Sequence, residues 1–224
     1  MQVNLKDDLF LAKNRNGETA FYIAALNSNI EILEKLWGWG REVQVNLKDD
    51  LLLAGDYDEL TGWVGAARYG NTEISEKLWG WGREVQVNLK DDLLLAKDVF
   101  RHTALCTAAR NGNKQIFEKP WGWGREVQVI LKDGFLLAKG CYVQSAWHIA
   151  AERANTEILE KLWGWGREVQ LNLKDDLLLS KGYDGLTACY IAVENGKKEI
   201  LEKLWGWGRE VQINLTDDLF AGQR

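Results

Sequence analysis

Apolar and polar positions along the chain follow one recurring order. Between Glu157 and Val169, the residues Ile158, Leu162, Trp165 and Val169 share a stripe at helical spacing, with Leu159 and Trp163 beside it. This pattern predicts an amphipathic helix with glutamate in its first turn, where the helix dipole favours negative charge. Upstream, Ser145-Ala146-Trp147-His148-Ile149-Ala150-Ala151-Glu152-Arg153 predicts a shorter helix. Ser145 suits its N-cap, and the alanines keep it thin enough for a neighbour to approach closely.

The same helix pair returns at a fixed step. Trp-Gly-Trp-Gly begins at Trp37, Trp79, Trp121, Trp163 and Trp205, always 42 residues apart. Thr19, Thr61, Thr103, Ser145 and Thr187 keep that step, as do Ala24-Ala25, Ala66-Ala67, Ala108-Ala109, Ala150-Ala151 and Ala192-Val193. The unbroken phase predicts one array over 14–224, with repeats at approximately 14–55, 56–97, 98–139, 140–181 and 182–224, after a partial repeat end at 1–13. Propeller blades also use a period near 42, but short strands would not show the helical spacing. In such an array each unit buries its apolar face against its neighbours. The start in mid-repeat suggests a fragment of a longer array. The fifth repeat keeps Ile200, Leu201, Leu204, Trp205 and Trp207 without a polar cap, so either the tail at Leu215–Phe220 covers it or the end is adhesive.

These markers resemble the ankyrin repeat. Thr103-Ala104-Leu105-Cys106, Ala108-Ala109, Gly112-Asn113 and Gln115-Ile116 follow the family's order, and Ser145-Ala146-Trp147-His148 comes close to its Thr-Pro-Leu-His. The resemblance implies an all-α, ankyrin-like helical-repeat solenoid of five helix pairs. It also implies protein binding through fingertip turns and first helices on a concave face, and places His148 where the family's histidine stabilises a turn between repeats. The family unit is about 33 residues. The additional stretch, Gly-Trp-Gly-Arg-Glu-Val-Gln-Val-Asn, reads as a longer second helix with a loop after it. The fingertip glycine is present as Gly17 and Gly185 but replaced by Glu59, Arg101 and Val143. A left-handed turn would be strained there, unless the turn differs in type.

Two features weaken the array. Pro120 stands where other repeats have Leu36, Leu78, Leu162 and Leu204. A proline inside a helix costs roughly 3 kcal/mol, which predicts a kink or break in repeat three. The glycines of Trp-Gly-Trp-Gly each cost up to about 1 kcal/mol, unless close packing requires them, as expected for Gly40.

Composition narrows the chemistry. The chain has 224 residues, 46% apolar and 27% charged, with a formal net charge of −5. The acidic balance argues against nucleic acid as a partner, so the ten Trp of the repeated motif read as a core ladder rather than a base-stacking surface. No apolar run is long enough to span a membrane. The N-terminus lacks the basic start and apolar stretch of a signal peptide, and the chain is expected to be intracellular, in the cytoplasm. Paired carboxylates at Asp49-Asp50, Asp91-Asp92 and Asp175-Asp176 lack the further oxygen ligands of a calcium loop and read as turn formers or as an N-cap to a short helical turn. Two histidines, His102 and His148, and three scattered cysteines, Cys106, Cys141 and Cys189, offer neither a metal site nor an activated nucleophile. Cys106 and Cys189 read as small core residues, Cys141 as exposed. No catalytic residue and no cofactor is expected.

Differences among the repeats concentrate in the fingertips and first helices. Tyr57, Asp58, Phe100, Arg101, Tyr142, Tyr183 and Asp184 stand at the tips. Tyr and Arg are frequent interface anchors, and the acidic members would select a basic protein partner. The expectation is therefore a non-catalytic protein-interaction scaffold. A self-associating structural protein, stacked end to end, and a degenerate array without present function are the alternatives.

Overall fold

The computed structural model describes residues 11–127, 135–140, 143–182 and 185–213. Among the described residues the chain is helical without strands; a lone antiparallel bridge joins Gly55 and Thr61. Five hairpins of helices succeed one another: α1 (Ala20–Leu26) with α2 (Ile30–Glu42), α3 (Gly62–Tyr69) with α4 (Thr72–Glu84), α5 (Ala104–Asn111) with α6 (Lys114–Glu126), α7 (Ala146–Arg153) with α8 (Thr156–Glu168), and α9 (Ala188–Glu194) with α10 (Lys198–Glu210). Each first helix packs on the first helix of the next pair, and α4, α6 and α8 pack likewise.

The repeated hydroxyls start the first helices. Thr19 accepts from Tyr22 N, Thr61 from Val64 N, Thr103 from Cys106 N and Thr187 from Tyr190 N, at 3.2–3.5 Å. Each bond satisfies a backbone donor that the helix start leaves free. The alanine pairs then set the spacing between hairpins. A Cβ added at Gly62 would lie 3.2 Å from the Cβ of Ala25, so bulk there would push adjacent first helices apart.

The second helices run through Trp-Gly-Trp-Gly, as the extended pattern predicts. Beyond α2, α4 and α8, where the sequence suggests a loop with at most a short helical turn, the chain forms a compact turn of π-helix, at Leu47–Leu52, Leu89–Leu94 and Leu173–Leu178. Asn46 caps it, accepting from Asp49 N at 3.1 Å, while Asp50 Oδ2 accepts from Asn46 N at 3.0 Å. The paired aspartates therefore close a reciprocal cap. Leu51 and Leu52 enter the core behind it, and Phe135 and Leu136 do so in repeat three. The turn folds back onto the second helix of its own repeat. A Cβ at Gly40 would lie 2.9 Å from Leu51 Cδ1 and 3.1 Å from Leu47 Cδ2, with the same crowding at Gly82 and Gly166. At these three positions the second glycine of the motif is crowded by the side chains of that turn and of the valine or leucine before it. A Cβ at Gly38, Gly80, Gly122, Gly164 or Gly206 would meet nothing within 4 Å, and nothing in the structure explains these glycines.

The tryptophans join one repeat to the next. Trp37 stacks on Trp81 with centroids 4.5 Å apart, Trp79 on Trp123 at 4.9 Å, Trp121 on Trp165 at 4.5 Å and Trp163 on Trp207 at 4.8 Å. The first Trp of each motif pairs with the second Trp of the succeeding one. Two outer members lack such a partner among the described residues: Trp39 is 48% exposed and Trp205 is 41% exposed. The ladder is therefore core along most of its length and more exposed at its two outer members; residues 1–10 and the tail at 215–220 lie outside the described residues.

Pro120 does not break its helix. Helix α6 has the same 13 residues as α4 and α8, and Pro120 is buried at the leucine position. Packing against α4 and α8 on either side holds the helix in spite of the lost backbone donor.

Candidate recognition surface

The fingertip turns precede the first helices and are built by side chains that hold their own backbone. Asn14 Oδ1 accepts from the amides of Asn16 and Glu18, at 2.9 and 3.0 Å. Asp56 Oδ1 does the same for Asp58 and Leu60, at 2.8 and 3.0 Å, and Asp98 Oδ1 accepts from His102 N at 2.9 Å. An Asx turn of this kind lets the tip reverse direction in a short span. In the tips with Gly140 and Gly182, backbone bonds run from Gly140 N to Gln144 O and from Gly182 N to Leu186 O.

All five tips use the left-handed conformation. Gly17 and Gly185 have φ of 80° and 73°, and Glu59, Arg101 and Val143 have φ of 55–57°. The strained alternative is the one adopted. A non-glycine residue there costs on the order of 1 kcal/mol, most for the β-branched Val143.

Consecutive tips are tied to each other. Tyr57 N donates to Asn16 O at 3.1 Å, and Val99 N donates to Asp58 O at 3.0 Å. The Tyr57 ring lies against Gly17, where an added Cβ would come 2.6 Å from Tyr57 Cδ1. The Tyr22 hydroxyl in α1 donates to Asp56 Oδ2 at 2.7 Å, bracing the second tip from the first repeat. Burial and the Asp56 carboxylate together raise the Tyr22 pKa, so the phenol keeps its proton.

The anchored tips present exposed apolar groups. Tyr57 is 70% exposed, and Val99, Phe100 and Val143 are also exposed, as are Asp58 and Arg101. The sequence-predicted residues Tyr57, Asp58, Phe100 and Arg101 thus lie on two adjacent tips joined by backbone. Tyr142, Tyr183, Asp184 and Cys141 lie outside the described residues. Sequence reasoning did not single out Val99, or Tyr69 at the end of α3, although both fall in segments that vary between repeats.

Both histidines are buried. His148 is buried; its Nε2 donates to Ser180 O at 3.0 Å, leaving Nδ1 to accept from the Ser145 amide at 3.4 Å and the Ser145 hydroxyl at 3.0 Å. It thereby caps α7 and fixes the chain that leads to the fifth tip. Desolvation is the main reason its pKa falls to about 4. His102 is buried beside Arg110, whose Nη2 lies 3.1 Å from its Nε2. Burial first, and the guanidinium second, lower its pKa. Cys106 and Cys189 are buried free thiols, and desolvation raises both. Among the described residues no three His, Cys, Asp or Glu side chains gather to hold a metal ion, and no helix is long and apolar enough to cross a membrane.

No protein-family model and no curated protein matches the sequence.

Proposed function

We propose that the chain is an ankyrin-like helical-repeat solenoid of five pairs, acting as a non-catalytic scaffold that binds a protein through its fingertips and first helices. The observation that carries this reading is the pairing of rigidity with exposure at Tyr57, Val99 and Phe100. The backbones of Tyr57 and Val99 are fixed by bonds from one tip to the next, while all three side chains face solvent. Aromatic groups held in advance lose little conformational entropy on contact with a partner. Asp58 and Glu59 beside them favour a partner with basic groups at the rim. A cytoplasmic location accords with this role, because thiols such as Cys106 and Cys189 stay reduced there.

The test is affinity capture by the full chain and by a variant with Tyr57, Phe100, Tyr142 and Tyr183 changed to Ser. Loss of a captured protein from the folded variant supports the proposal. Equal recovery of every captured protein counts against it.

A further inference from the structure

We infer that the two end faces of the chain are complementary, and that one copy docks its last helix pair on the first helix pair of a second copy. This inference uses surfaces other than the fingertips and stands apart from the scaffold reading.

The internal junctions define what a junction needs. Each has a Trp stack from the first indole of one motif to the second indole of the next. Each also has two ion pairs of opposite polarity on the second helices. Lys77 pairs with Glu34, Lys119 with Glu76, Lys161 with Glu118 and Lys203 with Glu160. In the other sense, Arg41 pairs with Glu84, Arg83 with Glu126, Arg125 with Glu168 and Arg167 with Glu210.

The ends hold the halves of one more such junction, although Glu202 also pairs with Lys198 on its own helix at 3.6 Å. On the last pair, Trp205 is half exposed, with Glu202 and Arg209 alongside. On the first pair, Trp39 is half exposed, with Lys35 and Glu42 alongside. By the internal rule Trp205 would stack on Trp39, Glu202 would meet Lys35, and Arg209 would meet Glu42. Ile32 is 49% exposed on the first pair, whereas its counterparts Ile74, Ile116, Ile158 and Ile200 are buried. Asn29 would complete the match. Two of its counterparts, Asn113 and Asn155, donate to first-helix carbonyls of the preceding repeat, at Ala67 and Ala109, whereas the Asn71 amide nitrogen finds no partner. Polarity and apolar contact thus select the same occupant, a second copy in head-to-tail register. Two different faces meet in such a contact, so the assembly grows as a chain of copies unless its curvature closes a ring.

One position opposes close docking. Val193 is 49% exposed where the internal junctions have Ala25, Ala67, Ala109 and Ala151, all buried. Its extra methyls face the place where the Ala20 helix start of the next copy must approach. The end junction is therefore weaker than the internal ones.

Sedimentation velocity of the full 224-residue chain over a roughly hundredfold dilution tests this, with circular dichroism to confirm folding. The expected result is a series of oligomers that dissociate on dilution. Trp39→Lys and Trp205→Lys should each be monomeric, and an equimolar mixture of the two should form a dimer and go no further. Lys35→Glu should weaken association by about tenfold, with Glu202→Lys restoring it in the double variant, and Val193→Ala should strengthen it. A wild-type chain that stays monomeric throughout would overturn the inference. So would self-association of either Trp variant alone at the wild-type level, because that requires a different interface.

Discussion

The indole of Trp79 lies on the indole of Trp123, with centroids 4.9 Å apart and planes within 12° of each other, although the two residues belong to successive repeats. Trp63, from the first helix of the earlier repeat, leans on both rings, at 6.0 and 5.3 Å. Each junction is therefore an aromatic cluster that neither repeat can complete alone.

The two glycines between and after the tryptophans should respond oppositely to alanine. Gly80→Ala places a methyl in open space and removes a flexible residue from a helix interior, so it should stabilise by up to about 1 kcal/mol. Gly82→Ala drives a methyl to 2.9 Å from Leu89 Cδ2 and 3.0 Å from Val87 Cγ2. The crowding of these side chains should destabilise by about 1–3 kcal/mol. Urea-unfolding midpoints of the two variants check both signs.

Pro120→Leu should raise stability by about 3 kcal/mol, because it returns a backbone donor to α6 and restores the leucine found at Leu78 and Leu162. Thermal melting monitored by circular dichroism measures it. An unchanged melt would mean that the helix tolerates the proline without cost.

His148 should make stability fall as the solution is acidified. In the folded chain its pKa is about 4, below the ordinary 6.5. The unfolded chain therefore takes up a proton first, and stability present above 6.5 is lost as pH falls toward 4. Between about pH 7 and pH 5 this one group should cost about 2 kcal/mol, and His102 adds in the same direction. His148→Gln can keep an acceptor and a donor without titrating. Urea melts at the two pH values should show a shallower pH dependence in this variant than in the wild type.

Much of the architecture is legible from residue spacing, and the limits have physical causes. Thr19, Thr61, Thr103 and Thr187 mark helix starts because an N-cap explains a hydroxyl ahead of an alanine-rich stripe. The stripe of the second helix shows which Trp face inward but not which repeat supplies the partner, since spacing along one helix carries no information about a neighbour. A short helical turn is readable at the paired aspartates, but its π character is not, because six residues are too few to tell bonds to the fifth residue back from bonds to the fourth. The Asn46-to-Asp49 capping spacing is the signal for the turn. Pro120 misleads because local propensity cannot register the support of α4 and α8. At the tips, Tyr57, Asp58, Phe100 and Arg101 are marked by variation between repeats. The brace from Tyr22 to Asp56 spans 34 residues and leaves no local trace.

Adjacent repeats complete each other's interior through stacked indoles, and a double-mutant cycle on stability tests this most directly. The cycle uses Trp79→Leu, Trp81→Leu and Trp123→Leu, singly and in pairs. A coupling of about 0.5–1.5 kcal/mol is expected between Trp79 and Trp123, and close to none between Trp79 and Trp81, which point to different sides of the same helix. Additive effects for Trp79 with Trp123, with coupling confined to Trp79 and Trp81, would contradict it.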